Sequence, residues 1–174
     1  NYNVVVGDEA GTAITTGDQN VLLGYGAGDA IVSSSNNVAV GNLALSADTL
    51  GGRSVAIGAS ALTAQNFTSS TTTYNVAIGF TAGLSVTTGV ENTLIGSLAG
   101  DALTDADFNV ALGSRALGAD TLGSRSIAIG RSTLGTQNFT TATDAYNVAV
   151  GYEAGVAITT GTFNTLVGGL AGDA

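Results

Sequence analysis

The chain has 174 residues and a net charge of −9, with no Cys, His, Pro, Met, Trp or Lys; its cations are Arg53, Arg115, Arg125 and Arg131. Those absences exclude Ser–His and Cys–His nucleophile pairs, typical zinc sites, Schiff-base lysines and P-loops, and the acidic balance makes nucleic acid a poor partner. A helical chain is excluded as well, because 26 glycines recur every few residues and each costs about 1 kcal/mol inside a helix.

In chain order, the first predicted strand lies in NVVVG at 3–7, and the phrase then returns nine times. The copies are NVLLG at 20–24, NVAVG at 37–41, SVAIG at 54–58, NVAIG at 75–79, NTLIG at 92–96, NVALG at 109–113, SIAIG at 126–130, NVAVG at 147–151 and NTLVG at 164–168. Three short units and one long unit alternate along the chain, so that super-repeats start at 3, 75 and 147. After each glycine and two variable residues comes Ala (Thr133 in one unit), followed by Gly, Gly, Leu, Leu in rotation.

Each unit reads as strand, tight glycine corner, second short extended segment, and a Thr/Ser/Gly/Asp-rich return loop. So short a unit cannot hold strand, helix and strand but suits one coil of a solenoid. The expected fold is therefore all-β: one parallel β-solenoid domain over 1–174, with ten coils in a 17/17/17/21 rhythm stacked about 4.8 Å apart. The chain opens on Asn1 and shows no polar cap at either end, which suggests a fragment of a longer fibre.

Recurrent residues have mechanical explanations. The glycines from Gly7 to Gly168 suit a corner with positive φ or no room for a Cβ. The opening Asn (Ser54 and Ser126 in two units) suits a turn and a ladder from coil to coil. In the strand phrase, the second and fourth positions share one face and are assigned to the interior. The third column is Val5, Leu22, Ala39, Ala56, Ala77, Leu94, Ala111, Ala128, Ala149 and Leu166, with no polar member. Assigned to the outside, it makes an apolar stripe along the rod, and the expected cover is another copy of the chain. The rival is a stripe covered by the chain's own return loops.

The long units each carry an insertion, giving TAQNFTSSTTTY at 63–74 and GTQNFTTATDAY at 135–146. Asn66, Phe67, Tyr74, Asn138, Phe139 and Tyr146 are candidate ligand-facing residues there, for a host-surface glycan or protein receptor; the competing reading tucks the aromatic rings over the solenoid. Asp101, Asp105 and Asp107 could gather a hard cation, but the first super-repeat keeps only Asp29 of the three, so solvated carboxylates are favoured and no metal or other cofactor is expected. Asp48 and Arg53, recurring as Asp120 and Arg125, are candidates for an ion pair within a loop or between chains. Asp105/Asp107 and Asp8/Glu9 are the only close carboxylate pairs for a glycan-depolymerising enzyme, and neither recurs in a cleft pattern, so the chain reads as not an enzyme. TTG phrases recur once per super-repeat, too sparsely for an ice-binding ladder. No run is long enough to cross a membrane as a helix, so no membrane insertion is expected.

NVAIG-x-x-A and SVAIG-x-x-A resemble the head repeats of YadA-like trimeric autotransporter adhesins, and the longer cadence NVAVGYEAGVAITTGTFNTLVGGLAGDA is similar to repeats of phage tail-fibre proteins. The resemblance spans essentially the whole chain and implies a left-handed β-roll assembled as a homotrimer. It departs in its longer unit, where those heads commonly use about fourteen residues. The expected function is a structural or adhesive fibre segment, the shaft or receptor-binding region of a tail fibre, on a virion surface or extracellular. The alternative is the head of a bacterial trimeric adhesin.

Overall fold

The residues after each opening Asn or Ser are mostly β-branched, which favours extended backbone, and the glycine that follows turns the chain away. The computed structural model describes residues 2–174. Its main sheet is built from β1 (Val4–Val6), β2 (Val21–Leu23), β3 (Val38–Val40), β5 (Val55–Ile57), β7 (Val76–Ile78), β8 (Thr93–Ile95), β9 (Val110–Leu112), β11 (Ile127–Ile129), β13 (Val148–Val150) and β14 (Thr165–Val167). Two-residue strands β4 (Gly51–Gly52), β6 (Thr71–Thr72), β10 (Gly123–Ser124) and β12 (Thr143–Asp144) complete the set. Among the described residues there is no helix, and so none long and apolar enough to cross a membrane.

The ten main strands pair in parallel with their neighbours in the sequence, always in the same register, so the chain is a parallel β-solenoid of ten coils. Val38 faces Val55 across a short unit, and Val55 faces Val76 across a long one. The insertions therefore leave the ladder intact and are taken up in the return loops, whose ends pair as β4 with β6 and β10 with β12.

A second extended segment directly after the corner was expected in every unit, and the structure corrects this. That segment is a turn, tied to the next coil by backbone bonds such as Gly28 N to Ala44 O (2.9 Å) and Leu45 N to Ala61 O (2.9 Å).

Both reasons for a corner glycine apply at Gly79. Its φ is +141°, and an added Cβ would lie 2.5 Å from the Gly96 carbonyl oxygen of the next coil. The Asn ladder is also present, in a specific form. Asn20 Oδ1 accepts from the backbone N–H of Asn37 (2.9 Å), while its Nδ2 donates to Ser34 O (3.0 Å) at the end of its own coil. Asn92 and Asn109 repeat the pattern. Each buried amide thus closes one coil and clasps the next.

The two faces of the strands are the reverse of the sequence assignment. Leu22, Ala39, Ala56, Ala77, Leu94, Ala111, Ala128 and Ala149 have no exposed surface within a single chain, so the third column is core and not an oligomer interface. Val5 and Leu166 follow the same inward direction in the end coils, where they keep some exposure. The second and fourth columns point outward. The physical reason is the thinness of the coil: the middle residue packs against the chain's own Ala27, Ala44 and Ala61 column, leaving room for little more than Ala.

Where the middle residue is Leu, its coil carries glycine at the position that holds Leu in other coils. Leu22 and Leu94 sit in coils with Gly28 and Gly100, and a Cβ at Gly28 would meet both Leu22 Cδ2 and Ile31 Cδ1 at 2.8 Å. The Ala39, Ala56, Ala111 and Ala128 coils instead carry buried Leu45, Leu62, Leu117 and Leu134 in left-handed conformations (φ 49–53°). In those Leu coils the next core column changes from Ile31, Val86 and Leu103 to the buried polar residues Asp48, Gln65, Asp120 and Gln137.

Candidate functional site

The outward columns of the main sheet are Val4, Val21, Val38, Val55, Val76, Thr93, Val110, Ile127, Val148, Thr165 on one side and Val6, Leu23, Val40, Ile57, Ile78, Ile95, Leu112, Ile129, Val150, Val167 on the other. Every one keeps solvent exposure in the single chain, and neither column contains a charged residue. The central strands show the pattern clearly: in β7, Val76 and Ile78 are half-buried around a fully buried Ala77. The result is an unbroken aliphatic face, interrupted only by two threonines. Parallel strands whose residues are apolar on both sides normally have both faces covered.

One border of this face is a column that sequence reasoning did not single out. From the second unit on, the residue before each opening Asn or Ser is Gln19, Asn36, Arg53, Tyr74, Glu91, Phe108, Arg125, Tyr146 and Phe163, and every one of these has φ between 50° and 66°. Stacked at one edge of the sheet, the aromatic and arginine members touch from coil to coil. The Arg125 guanidinium lies 4.6 Å from the Phe108 ring centre and 5.9 Å from that of Tyr146, and Tyr146 stacks on Phe163 at 5.3 Å and 17°. Arg53 lies over Tyr74 at 5.8 Å in the first super-repeat. Cation–π and stacking contacts at such exposed sites contribute about 0.5–1 kcal/mol each. The signal that could have found this column is its recurrence in phase with the Asn, but its residues differ so much in type that no motif stands out.

The six candidate ligand-facing residues fall into three kinds. Phe67 and Phe139 are buried, so they anchor the longer loops and do not face a ligand. Asn66 and Asn138 are exposed on the rod's side, accepting from Thr49 and Thr121 hydroxyls (3.0 and 3.1 Å). Tyr74 and Tyr146 belong to the border column just described.

The anticipated ion pairs of Asp48 with Arg53 and of Asp120 with Arg125 do not form. Asp48 and Asp120 are fully buried, while Arg125 is exposed and pairs with Asp144 (3.0 Å). Burial raises the Asp48 carboxyl above its ordinary pKa of 3.8, against bonds from Gln65, Gly51 and Phe67 that favour the charged form.

Asp101, Asp105 and Asp107 do not converge, and among the described residues no group of three or more Asp or Glu is placed to hold a metal ion. Asp105 accepts from the Thr88 hydroxyl (2.7 Å) and Asp107 from the Val90 N–H (2.8 Å). Glu9 and Glu153 hydrogen-bond the exposed phenols of Tyr25 and Tyr152, which raises both phenol pKa values. Asp101 instead lines a trough on the rod's side together with Arg115 and Arg131.

No family model, curated protein or solved structure matches this chain.

Proposed function

We propose that this chain is a rod-like segment of a structural or adhesive fibre, in which three copies pack their aliphatic sheet faces around a common axis. The observation that carries the reading is that face. Eighteen aliphatic side chains and two threonines line it from the first coil to the tenth, with no charge among them. Burial of such surface returns about 25 cal/mol per Å². A second copy is the partner that fits best, because its strands repeat with the same spacing and can match coil for coil. The choice of three copies rests on the resemblance of the NVAIG repeats to trimeric adhesin heads. The mechanism is mechanical: a stiff stack holds side loops and distal segments away from the particle that bears it, at a virion or cell surface, where they meet a host glycan or protein.

Light scattering on the purified chain tests the assembly. A solution mass of three times the 17.0 kDa protomer is the expected result. Ile78→Glu, in the middle of the face, should lower that mass to 17.0 kDa while leaving the sheet signal in circular dichroism unchanged. A monomeric parent chain with its face wet would overturn the assembly, and a dimer would overturn the threefold axis.

A further inference from the structure

The two complete super-repeats provide an internal comparison. Arg115 and Arg131 of the second stand where the first has Leu43 and Ala59, and Glu153, opening the third, stands where the second has Thr81. At the same level, Gly118 and Gly135 replace Ser46 and Thr63. Neither glycine has a left-handed backbone; an added Cβ would lie 3.2 Å from Arg115 O at Gly118 and 2.8 Å from Ser132 O at Gly135, approaches that the first super-repeat accommodates with Ser46 and Thr63. In the first super-repeat the Thr63 side chain occupies this space and donates to Leu43 O (2.9 Å). In the second, two adjacent coils lack a side chain there and a trough of about 540 Å³ opens, lined by Asp101, Arg115, Gly118, Arg131 and Glu153 among others. That volume lies within the range of small-ligand sites.

The charges in the trough are unequally satisfied. Arg131 Nη1 donates to Glu153 Oε1 (3.1 Å) and to the Tyr152 hydroxyl (3.1 Å). Arg115 makes no side-chain hydrogen bond and no ion pair among the described residues, although it lies close enough to Asp101 to oppose the rise that burial causes in that carboxyl's pKa. An exposed guanidinium fork beside a trough is suited to a carboxylate, which it can hold through two parallel bonds. The rest of the wall is mixed, with Ser132 and Thr136 beside Leu98 and Val156. Such a wall suits a ring that presents hydroxyls at its rim and C–H groups on its face.

We propose that this trough binds an acidic sugar, a pyranose unit carrying a carboxylate, with Arg115 holding the carboxylate and the Gly118–Gly135 floor admitting the ring. The site is built from residues of one chain, beyond the corner glycines that end the aliphatic strands.

Calorimetric titration of the chain with digalacturonate is the test, with the neutral digalactose and inorganic phosphate as comparison arms. Digalacturonate should bind saturably, digalactose should give no measurable heat, and phosphate should not displace the acid at equal concentration. Arg115→Ala should weaken binding about tenfold or more, the scale of a lost charge-assisted bond. Gly118→Ser, which restores the residue type of the first super-repeat, should weaken it similarly, with thermal stability unchanged. It serves as the second variant should Arg115→Ala fold poorly. Absence of binding at millimolar digalacturonate, equal binding of the neutral sugar, full displacement by phosphate, or parental affinity in Gly118→Ser would each overturn the proposal.

Discussion

Gln65 Nε2 donates to Asp48 Oδ2 at 2.5 Å inside the solenoid, and at the equivalent place in the second super-repeat Gln137 Nε2 makes the same bond to Asp120 at 2.5 Å. Each carboxylate also accepts from two backbone N–H groups, Gly51 and Phe67 in one case and Gly123 and Phe139 in the other. Each glutamine carries the network onward to the opening Asn of the next coil, Asn75 or Asn147. The polar pair thus occupies the space that Ile31 or Leu103 fills in other coils, with its bonding groups met.

Removing one partner should therefore cost more than removing both. Gln65→Leu leaves the Asp48 carboxylate short of a donor and should destabilise the chain by about 2–3 kcal/mol. Adding Asp48→Leu should recover a large part of that loss, because paired polar groups can often be exchanged for apolar ones of similar size at little net cost. Urea unfolding of the parent, the two single variants and the double variant, treated as a cycle, would measure the coupling. Additive losses would contradict it.

Asp48 also gives the chain a pH dependence opposite to that of a typical surface carboxylate. Its folded pKa is raised above the ordinary 3.8 by burial, so between those two values the folded state holds more protons than the unfolded state. Stability from this group is full below the unfolded value and is lost as pH rises through the folded one. Unfolding midpoints measured from pH 3.5 upward should fall with pH, and Asp48→Asn should flatten that fall relative to the parent. An identical slope in the two proteins would refute the assignment.

Two corner glycines separate strain from collision. At Gly79, alanine would meet both a φ of +141° and the Gly96 carbonyl, and Gly79→Ala should cost about 3 kcal/mol or more. At Gly168, φ is +127° but nothing lies within 4 Å of the added Cβ, so Gly168→Ala should cost only the conformational strain, about 1–2 kcal/mol. Denaturant midpoints of the two variants should differ in that order.

Asn92 donates to Ala106 O (2.7 Å) and accepts from Asn109 N–H (3.0 Å), both in buried surroundings. Asn92→Ala should cost about 2–3 kcal/mol, since two backbone groups lose their partners. Asn92→Ser should rescue little. The natural serine, Ser54, succeeds because Gln65 and Thr73 meet its hydroxyl, whereas Leu103 stands in the place of Gln65 in the Asn92 coil. Full rescue in a thermal melt would show that the serine needs no such company.

The coil number, the period and the corners were legible because a fixed repeat displays them directly. Which strand face lies inside was not. Val76, Ala77 and Ile78 are all apolar, and hydrophobicity alone assigns the larger pair inward. Part of the deciding information was the pairing of Leu22 with Gly28 and of Ala39 with Leu45, a statement about volume across the coil that a column-by-column reading overlooks; the Ala77 coil, which carries Gly83, is filled instead by Leu62 and Leu94 of its neighbours. The left-handed column at Arg53, Tyr74, Phe108 and Arg125 was hidden for another reason. None of its members is glycine, so no residue type announced the conformation. The trough beside Arg115 depends on two missing side chains in neighbouring coils; the replacements show when the super-repeats are aligned in sequence, but that Gly118 and Gly135 share one trough with Arg115 shows only in the fold.

The ladder bonds described above join each coil only to the one before and the one after, a single repeat unit away in the chain. Damage to such a rod stays local. A proteolytic nick in one return loop leaves the rungs on either side still clasped, so the severed halves remain docked where a fold with distant strand partners would come apart.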